Sequence, residues 1–215
     1  MINTILQFPT TYRFYQKIVR SKFDEYNFIN FIFSELNKKK KINVLDLCCG
    51  DSYVLDYISS SISNYLGIDN NKYYLSVCKK KWYNFNFLNL DVTDSKNVKF
   101  FSKFNPNFIF MNGAIHHLQD KTVNKINRFI LNYFPKAIFL SIDPVRYNNG
   151  FINKLMIKFD RGKYIRNKKE FSHLMKGYKT LIIDDFYKMS FQNIFHFRNL
   201  DLEKLYKVWK SKNNC

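Results

Sequence analysis

The sequence predicts an α/β fold, a doubly wound and mostly parallel seven-stranded sheet with an antiparallel C-terminal hairpin. Three observations carry that expectation. Five short apolar runs alternate with helical patterns between residues 42 and 143. The first run breaks into a turn of small residues, Cys48-Cys49-Gly50-Asp51-Ser52. Three successive runs end near an acid: Asp46, Asp69 and Asp91.

The elements follow in order. Residues 12 to 36 read as helix, with Phe28, Phe31, Ile32 and Leu36 at helical spacing. Strand one covers Ile42 to Leu47, and a helix of about 52 to 62 follows. Strand two is Asn64 to Ile68, with a helix over about 71 to 81. Strand three is Phe85 to Leu90, and strand four is Phe108 to Met111. A helix of about 121 to 133 leads to strand five, Ala137 to Ile142, which stops at Asp143-Pro144. Residues 145 to 176 form an irregular basic segment with a helix near 168 to 176. Two β-rich runs, Lys179 to Tyr187 and Phe191 to Arg198, read as a hairpin joined by a short turn and closing the sheet edge. A last helix fits 201 to 212. No repeat or linker divides the 215 residues, so one domain is expected, with residues 1–40 as a helical cap and 145–176 as an acceptor-side insertion.

Composition narrows the setting. Apolar content of 46% is globular, and no apolar run reaches the length of a membrane span. The N-terminus lacks the features of a secretory leader, which gives a cytoplasmic expectation. The four cysteines have no zinc-site spacing, so reduced structural thiols and no metal are expected. Net charge of +18 has two readings. One is a polyanion-binding surface. The other is codon bias, since Lys, Asn, Ile, Phe and Tyr all have AT-rich codons. Scarce Arg and scattered Lys favour the second, so nucleic acid is not the favoured partner.

The acids select a ligand. A carboxylate after strand two suits ribose hydroxyls. A dinucleotide also needs glycines spaced G-x-G-x-x-G, and this turn has only Gly50. Asp51 would repel a pyrophosphate at the following helix start. A sulfonium amino acid meets no such objection.

At this point the residues resemble a family. Val44-Leu45-Asp46-Leu47-Cys48-Cys49-Gly50, Tyr65-Leu66-Gly67-Ile68-Asp69, Asn89-Leu90-Asp91-Val92 and Phe108 through Leu118 are similar to the four motifs of class I S-adenosylmethionine-dependent methyltransferases. Cys48 and Ser52 replace glycines common in the first motif. The resemblance implies a Rossmann-like sheet, S-adenosyl-L-methionine as cofactor, and cofactor contacts from Asp46, Cys48, Gly50, Asp69, Asn70, Asp91, Val92, Asn112 and Gly113.

The acceptor side is less explicit. His116 and His117 follow strand four, and either can serve as a base or simply shape the loop. Asp143 can orient or deprotonate a hydroxyl, or cap the chain before Pro144. Arg161 and Arg166 can clamp an anionic group, or pair with Asp160 and Glu170. Tyr12 and Tyr15 can close over the cofactor or pack. Asp143-Pro144 with Phe159 to Arg166 also resembles a bacterial subgroup associated with surface-polysaccharide and secondary-metabolite gene sets. The expected activity is methyl transfer to an oxygen or nitrogen of a small molecule or glycan precursor. RNA methylation and a non-catalytic protein retaining the fold are the alternatives.

Overall fold

The structure is a computed structural model, and it describes residues 24–91, 94–146, 162–184 and 192–213. Seven strands form one sheet: β1 Asn43–Leu47, β2 Asn64–Asp69, β3 Asn86–Asn89, β4 Phe108–Asn112, β5 Ile138–Pro144, β6 Lys179–Ile183 and β7 Asn193–Arg198. Their order is β3-β2-β1-β4-β5-β7-β6. The first five are parallel, and β7 pairs antiparallel with both β5 and β6. The predicted hairpin is present, with β7 inserted beside β5 and β6 at the edge. Chain order reverses between β1 and β4, which makes their C-terminal ends the switch point where such sheets bind ligands.

Side-chain alternation explains the continuous apolar runs. Val44, Phe108, Phe110, Ile138, Leu140 and Ile142 face one core. They meet α1 (Glu25–Asn37), α2 (Leu55–Ile58), α3 (Lys72–Lys81) and, near the C-terminus, the helix Leu202–Asn213. Leu45, Leu47, Leu66, Ile68, Ile109, Met111 and Phe139 face the other core. There they meet α4 (Val98–Phe104), α5 (Asp120–Tyr133) and α6 (Lys168–Leu174), which makes the C-terminal helix α7. Both faces are covered, so successive residues of the central strands can all be apolar.

The helices begin where local chemistry permits. Asp24 caps α1 by accepting the Asn27 N–H at 2.9 Å, and Asn71 caps α3 through the Tyr73 and Tyr74 N–H groups. Asn167 and Glu170 form a reciprocal capping box on α6. The helix expected over 52–62 is shorter: α2 has one turn and passes into a 3₁₀ turn at Ser59–Ser61. The run Ser59-Ser60-Ser61 offers hydroxyls that compete for backbone groups and little apolar face to extend it. Helix α4 has no counterpart in the sequence reading. Residues 12–23 of the expected N-terminal helix lie outside the described residues.

Gly67 sets the fit between β2 and the turn after β1. It stands opposite Asp46 in the parallel ladder. A Cβ at this position would lie 2.8 Å from Cys49 Sγ, 2.8 Å from Phe87 Cδ1 and 3.0 Å from Tyr65 Cε1. The missing methyl therefore lets the turn fold back over β2. Gly67→Ala is expected to lower unfolding free energy by about 1–3 kcal/mol through overpacking. Urea denaturation of the two proteins measures it, and an unchanged midpoint would contradict this account of the contact.

Candidate functional site

After β1 the chain turns through Cys48, Gly50 and Ser52 with φ of 60°, 54° and 50°. Every second residue is thus left-handed. Glycine adopts this freely, whereas a side chain costs about 1–2 kcal/mol there. Cys48 and Ser52, which stand where the motif commonly has glycine, hold the glycine-like conformation despite their Cβ atoms. Three bonds hold the turn. The Cys49 N–H donates to the Ile68 carbonyl at 3.0 Å, the Gly50 N–H to Asp69 Oδ2 at 2.8 Å, and the Ser52 N–H to the Cys49 carbonyl at 2.9 Å. A Cβ on Gly50 would meet nothing within 4 Å, so bare backbone faces open space at the switch point.

Three carboxylates reach this edge from different strands. Asp46 is buried on the α1–α3 side of the sheet, and its Oδ2 accepts the Tyr65 hydroxyl at 2.5 Å. That hydroxyl also lies 3.1 Å from Ser52 Oγ. Asp46 Oδ1 is buried without a hydrogen-bond partner. Burial pushes the Asp46 carboxyl up to about 7; the Tyr65 bond opposes this, and the charge of Asp69 adds to it. Asp69 is half-buried and accepts one backbone N–H on each oxygen, from Gly50 and from Asn71, both at 2.8 Å. Each oxygen retains a further lone pair. Asp91 is exposed beyond β3, and its carbonyl accepts from the Asp94 N–H and the Asn97 side chain. Asn70 is exposed beside Asp69. Val92 lies outside the described residues.

The loop after β4 forms the other wall. Gly113 is left-handed at φ 61° and donates its N–H to the Ile142 carbonyl at 2.7 Å. Asn112 donates to the Tyr26 hydroxyl at 3.2 Å. His116 is buried, with Nδ1 2.9 Å from Asp143 Oδ1, and its backbone N–H donates to the same oxygen at 3.1 Å. Burial raises the Asp143 carboxyl above its ordinary range, while the side-chain bond from His116 opposes that rise. His117 is exposed, its ring centroid 4.1 Å from that of His116.

The structure brings together Asp46, Cys48, Gly50 and Asp69 around the turn, and His116 with Asp143 beside it. It does not offer Arg166 to an acceptor. That guanidinium donates to Asp120 Oδ1 through Nε and Nη2, and to the carbonyls of Ile115, Tyr164 and Leu118. All five N–H donors are engaged by the protein. Glu170, considered as a partner for Arg166, instead takes Arg146 with both oxygens at 2.9 Å. The expectation for Arg166 is corrected accordingly: it ties the loop down. Arg161, Tyr12 and Tyr15 lie outside the described residues.

Sequence reasoning missed three participants. Tyr65 and Ser52 support Asp46, and Tyr26 reaches Asn112 while stacking on Tyr57 at 4.9 Å and meeting Tyr53 edge-on at 5.1 Å. The position of Tyr65, two residues before Gly67 on the same strand face, was the available signal. Nothing in the sequence pointed to Tyr26, which meets the site across 86 residues of chain.

The edge suits a cationic, ribose-bearing cofactor. Backbone is open at Gly50, Asp46 keeps an unpartnered buried oxygen for an ammonium, and Asp69 keeps lone pairs for hydroxyl donors. Among the described residues no three His, Cys, Asp or Glu side chains gather as a metal site. No described helix is long and apolar enough to cross a membrane.

Comparison with known proteins agrees. A family model described as a methyltransferase domain matches residues 44–132. No curated protein matches by sequence. Among solved structures, the methyltransferase domain of bacterial CtHen1 superposes with a TM-score of 0.59 at 13% identity, covering 80% of this chain and 97% of that one. The plantazolicin methyltransferase BamL, solved with a desmethyl analogue and S-adenosylhomocysteine, gives 0.59 at 15% identity over 93% and 94%. The small RNA methyltransferase HEN1 gives 0.58 at 12% identity over 79% and 25%. Residues 44–132 thus match a methyltransferase domain, and the sheet order and the left-handed turn are those of the class I S-adenosylmethionine-dependent methyltransferase fold.

Proposed function

We propose that the chain methylates an oxygen or nitrogen of a small molecule or glycan precursor, with His116 as the base and Asp143 as the residue that orients it. The carrying observation is the buried contact of His116 Nδ1 with Asp143 Oδ1 at 2.9 Å, at the ends of two strands beside the cofactor turn. A carboxylate at Nδ1 fixes the tautomer in which Nε2 carries the lone pair. It also stabilises the imidazolium formed once a proton is taken.

The residues of this chain divide the work. Gly50 and Cys48 bring backbone to the methionine end, Asp46 receives its ammonium, and Asp69 receives the ribose hydroxyls. Asp91 and Asn70 are assigned to the adenine side, while Asn112 and Gly113 close the other side. Bound S-adenosylmethionine supplies an electrophilic methyl group with a neutral thioether as leaving group. The protein's part is to hold the nucleophile in line, exclude water and accept one proton. The loop 113–118 can do this because it is fixed twice. Asp143 accepts the His116 N–H within it, and Arg166 donates to the carbonyls of Ile115 and Leu118. His117, exposed beside His116, is assigned to loop shape. The cytoplasm is the compartment this reading favours.

Three outcomes test this reading. Calorimetry should show one saturable site for S-adenosylhomocysteine, weakened at least ~100-fold by Asp69→Ala through loss of charged hydrogen bonds. No binding by the parent protein would sink the cofactor placement. Asp46→Asn should act in opposite directions on stability and binding. The folded-state value near 7 lies above the unfolded value of 3.8. The stability it confers is therefore present below about pH 4 and lost as pH rises through about 7. The neutral amide removes that loss, so the cofactor-free variant should melt at least ~3 °C higher at pH 8 and by a clearly smaller margin at pH 5. It should also bind S-adenosylmethionine more weakly. His116→Ala should lower kcat about 10²–10⁴-fold for a hydroxyl acceptor while leaving cofactor affinity within a few-fold. An unchanged kcat would assign the dyad to loop structure alone.

A further inference from the structure

We infer that the methyl-transfer position is electronegative and takes an acceptor that arrives neutral or cationic, an amine above all, rather than an anionic phosphate or carboxylate. This rests on the reading above that the acceptor meets the methyl group beside His116.

The protein carries 35 Lys and Arg against 17 Asp and Glu, yet among the described residues the buried charges have the opposite balance. Among the described residues no lysine is buried, and Arg166 is the one buried arginine. Its five donors are all engaged by protein oxygens. Three carboxylates are buried, Glu25, Asp46 and Asp143. All three lie at the C-terminal edge of the sheet. Asp46 precedes the cofactor turn, and Asp143 holds His116. Glu25 begins α1 and accepts the Asn193 side chain at 2.5 Å, and Asn193 pairs with Pro144 in the ladder.

Two of these carboxylates have an oxygen with no hydrogen-bond partner, Asp46 Oδ1 and Asp143 Oδ2. Their fields meet at the turn. After burial, the charges of Asp69, Asp46, Asp143 and Asp91 together hold the Cys48 thiol up at about 12. Buried anions act through a low dielectric, whereas the exposed lysines are screened by solvent. The cofactor brings one net positive charge, which one carboxylate balances. The remaining negative field opposes a second anion and favours a hydrogen-bond donor or an ammonium.

An amine fits the dyad as well as the field. The acceptor gives one proton to His116 Nε2, and its nitrogen lone pair forms the bond to the methyl carbon. The carbon–sulfur pair returns to sulfur as the thioether. The large positive surface then serves solubility or long-range attraction and not recognition of a phosphate at the reacting centre.

Sinefungin reports the sign of this field, because it carries a primary amine on the carbon that replaces the sulfonium centre. Calorimetry on the full chain at pH 7.5 is expected to show sinefungin binding at least ~10-fold more tightly than S-adenosylhomocysteine. Asp143→Asn and Glu25→Gln should each reduce that ratio at least ~3-fold. Glu25 lies outside the dyad, so it keeps the test open if the Asp143 variant does not fold. Equal binding of the two ligands, or a ratio unmoved in both variants, would overturn the inference while leaving the cofactor assignment intact. Failure of both ligands to bind takes down the cofactor assignment and this inference with it. Methylation of an RNA oligonucleotide with steeply salt-dependent affinity would also overturn it.

Discussion

The hydrogen bond from the Gly50 N–H to Asp69 Oδ2 is the constraint on which the site depends. It joins the turn after β1 to the tip of β2. The same carboxylate accepts the Asn71 N–H at the start of α3. The Asp69 side chain thereby fixes where the turn after β1 and the start of α3 stand relative to each other. The left-handed backbone at Cys48 and Ser52 is tolerated because these bonds over-determine it. Gly67 permits the same arrangement from below, since only a missing Cβ leaves room for Cys49.

The opposite wall follows the same logic with different chemistry. The loop 113–118 is short, and its backbone groups need partners wherever they are removed from water. Asp143 accepts the His116 N–H in the middle, while Arg166 donates to the carbonyls of Ile115 and Leu118 on either side. The Tyr164 N–H donates to the His116 carbonyl at 2.9 Å. Residues from 162 to 166 therefore brace the loop. His116 is rigid because its backbone and its ring share one carboxylate. Burial makes that carboxylate costly, and its two bonds from His116 offset part of the cost.

Charge is divided between surface and interior. Among the described residues every lysine lies outside, and the buried carboxylates line the C-terminal edge of the sheet. A basic protein can in this way hold an acidic site. The Asp46 carboxyl near 7 shows the cost of that design, because ionising it without a cation works against folding. A cationic ligand relieves the same group that destabilises the empty site.

Much of this was legible in the residues. The alternation of apolar runs predicted the parallel sheet, and the single glycine with Asp51 spoke against a dinucleotide. Those signals are local, since strand period, turn chemistry and helix caps act over a few residues. The helix after Ser52 is shorter than the apolar spacing suggests, because the three serines that follow Ile58 favour a 3₁₀ turn over further α-helix. The role of Arg166 was misjudged because a basic residue near a site looks the same in sequence whether it faces a ligand or the backbone. By itself the sequence determined the sheet, the cofactor class and the acids at the strand ends. Only the tertiary structure decided which groups pair: Tyr65 with Asp46, Tyr26 with Asn112, His116 with Asp143, and Arg166 with Asp120. Such pairs span from 19 to 86 residues of chain, and no local pattern encodes a contact that only the closed sheet creates.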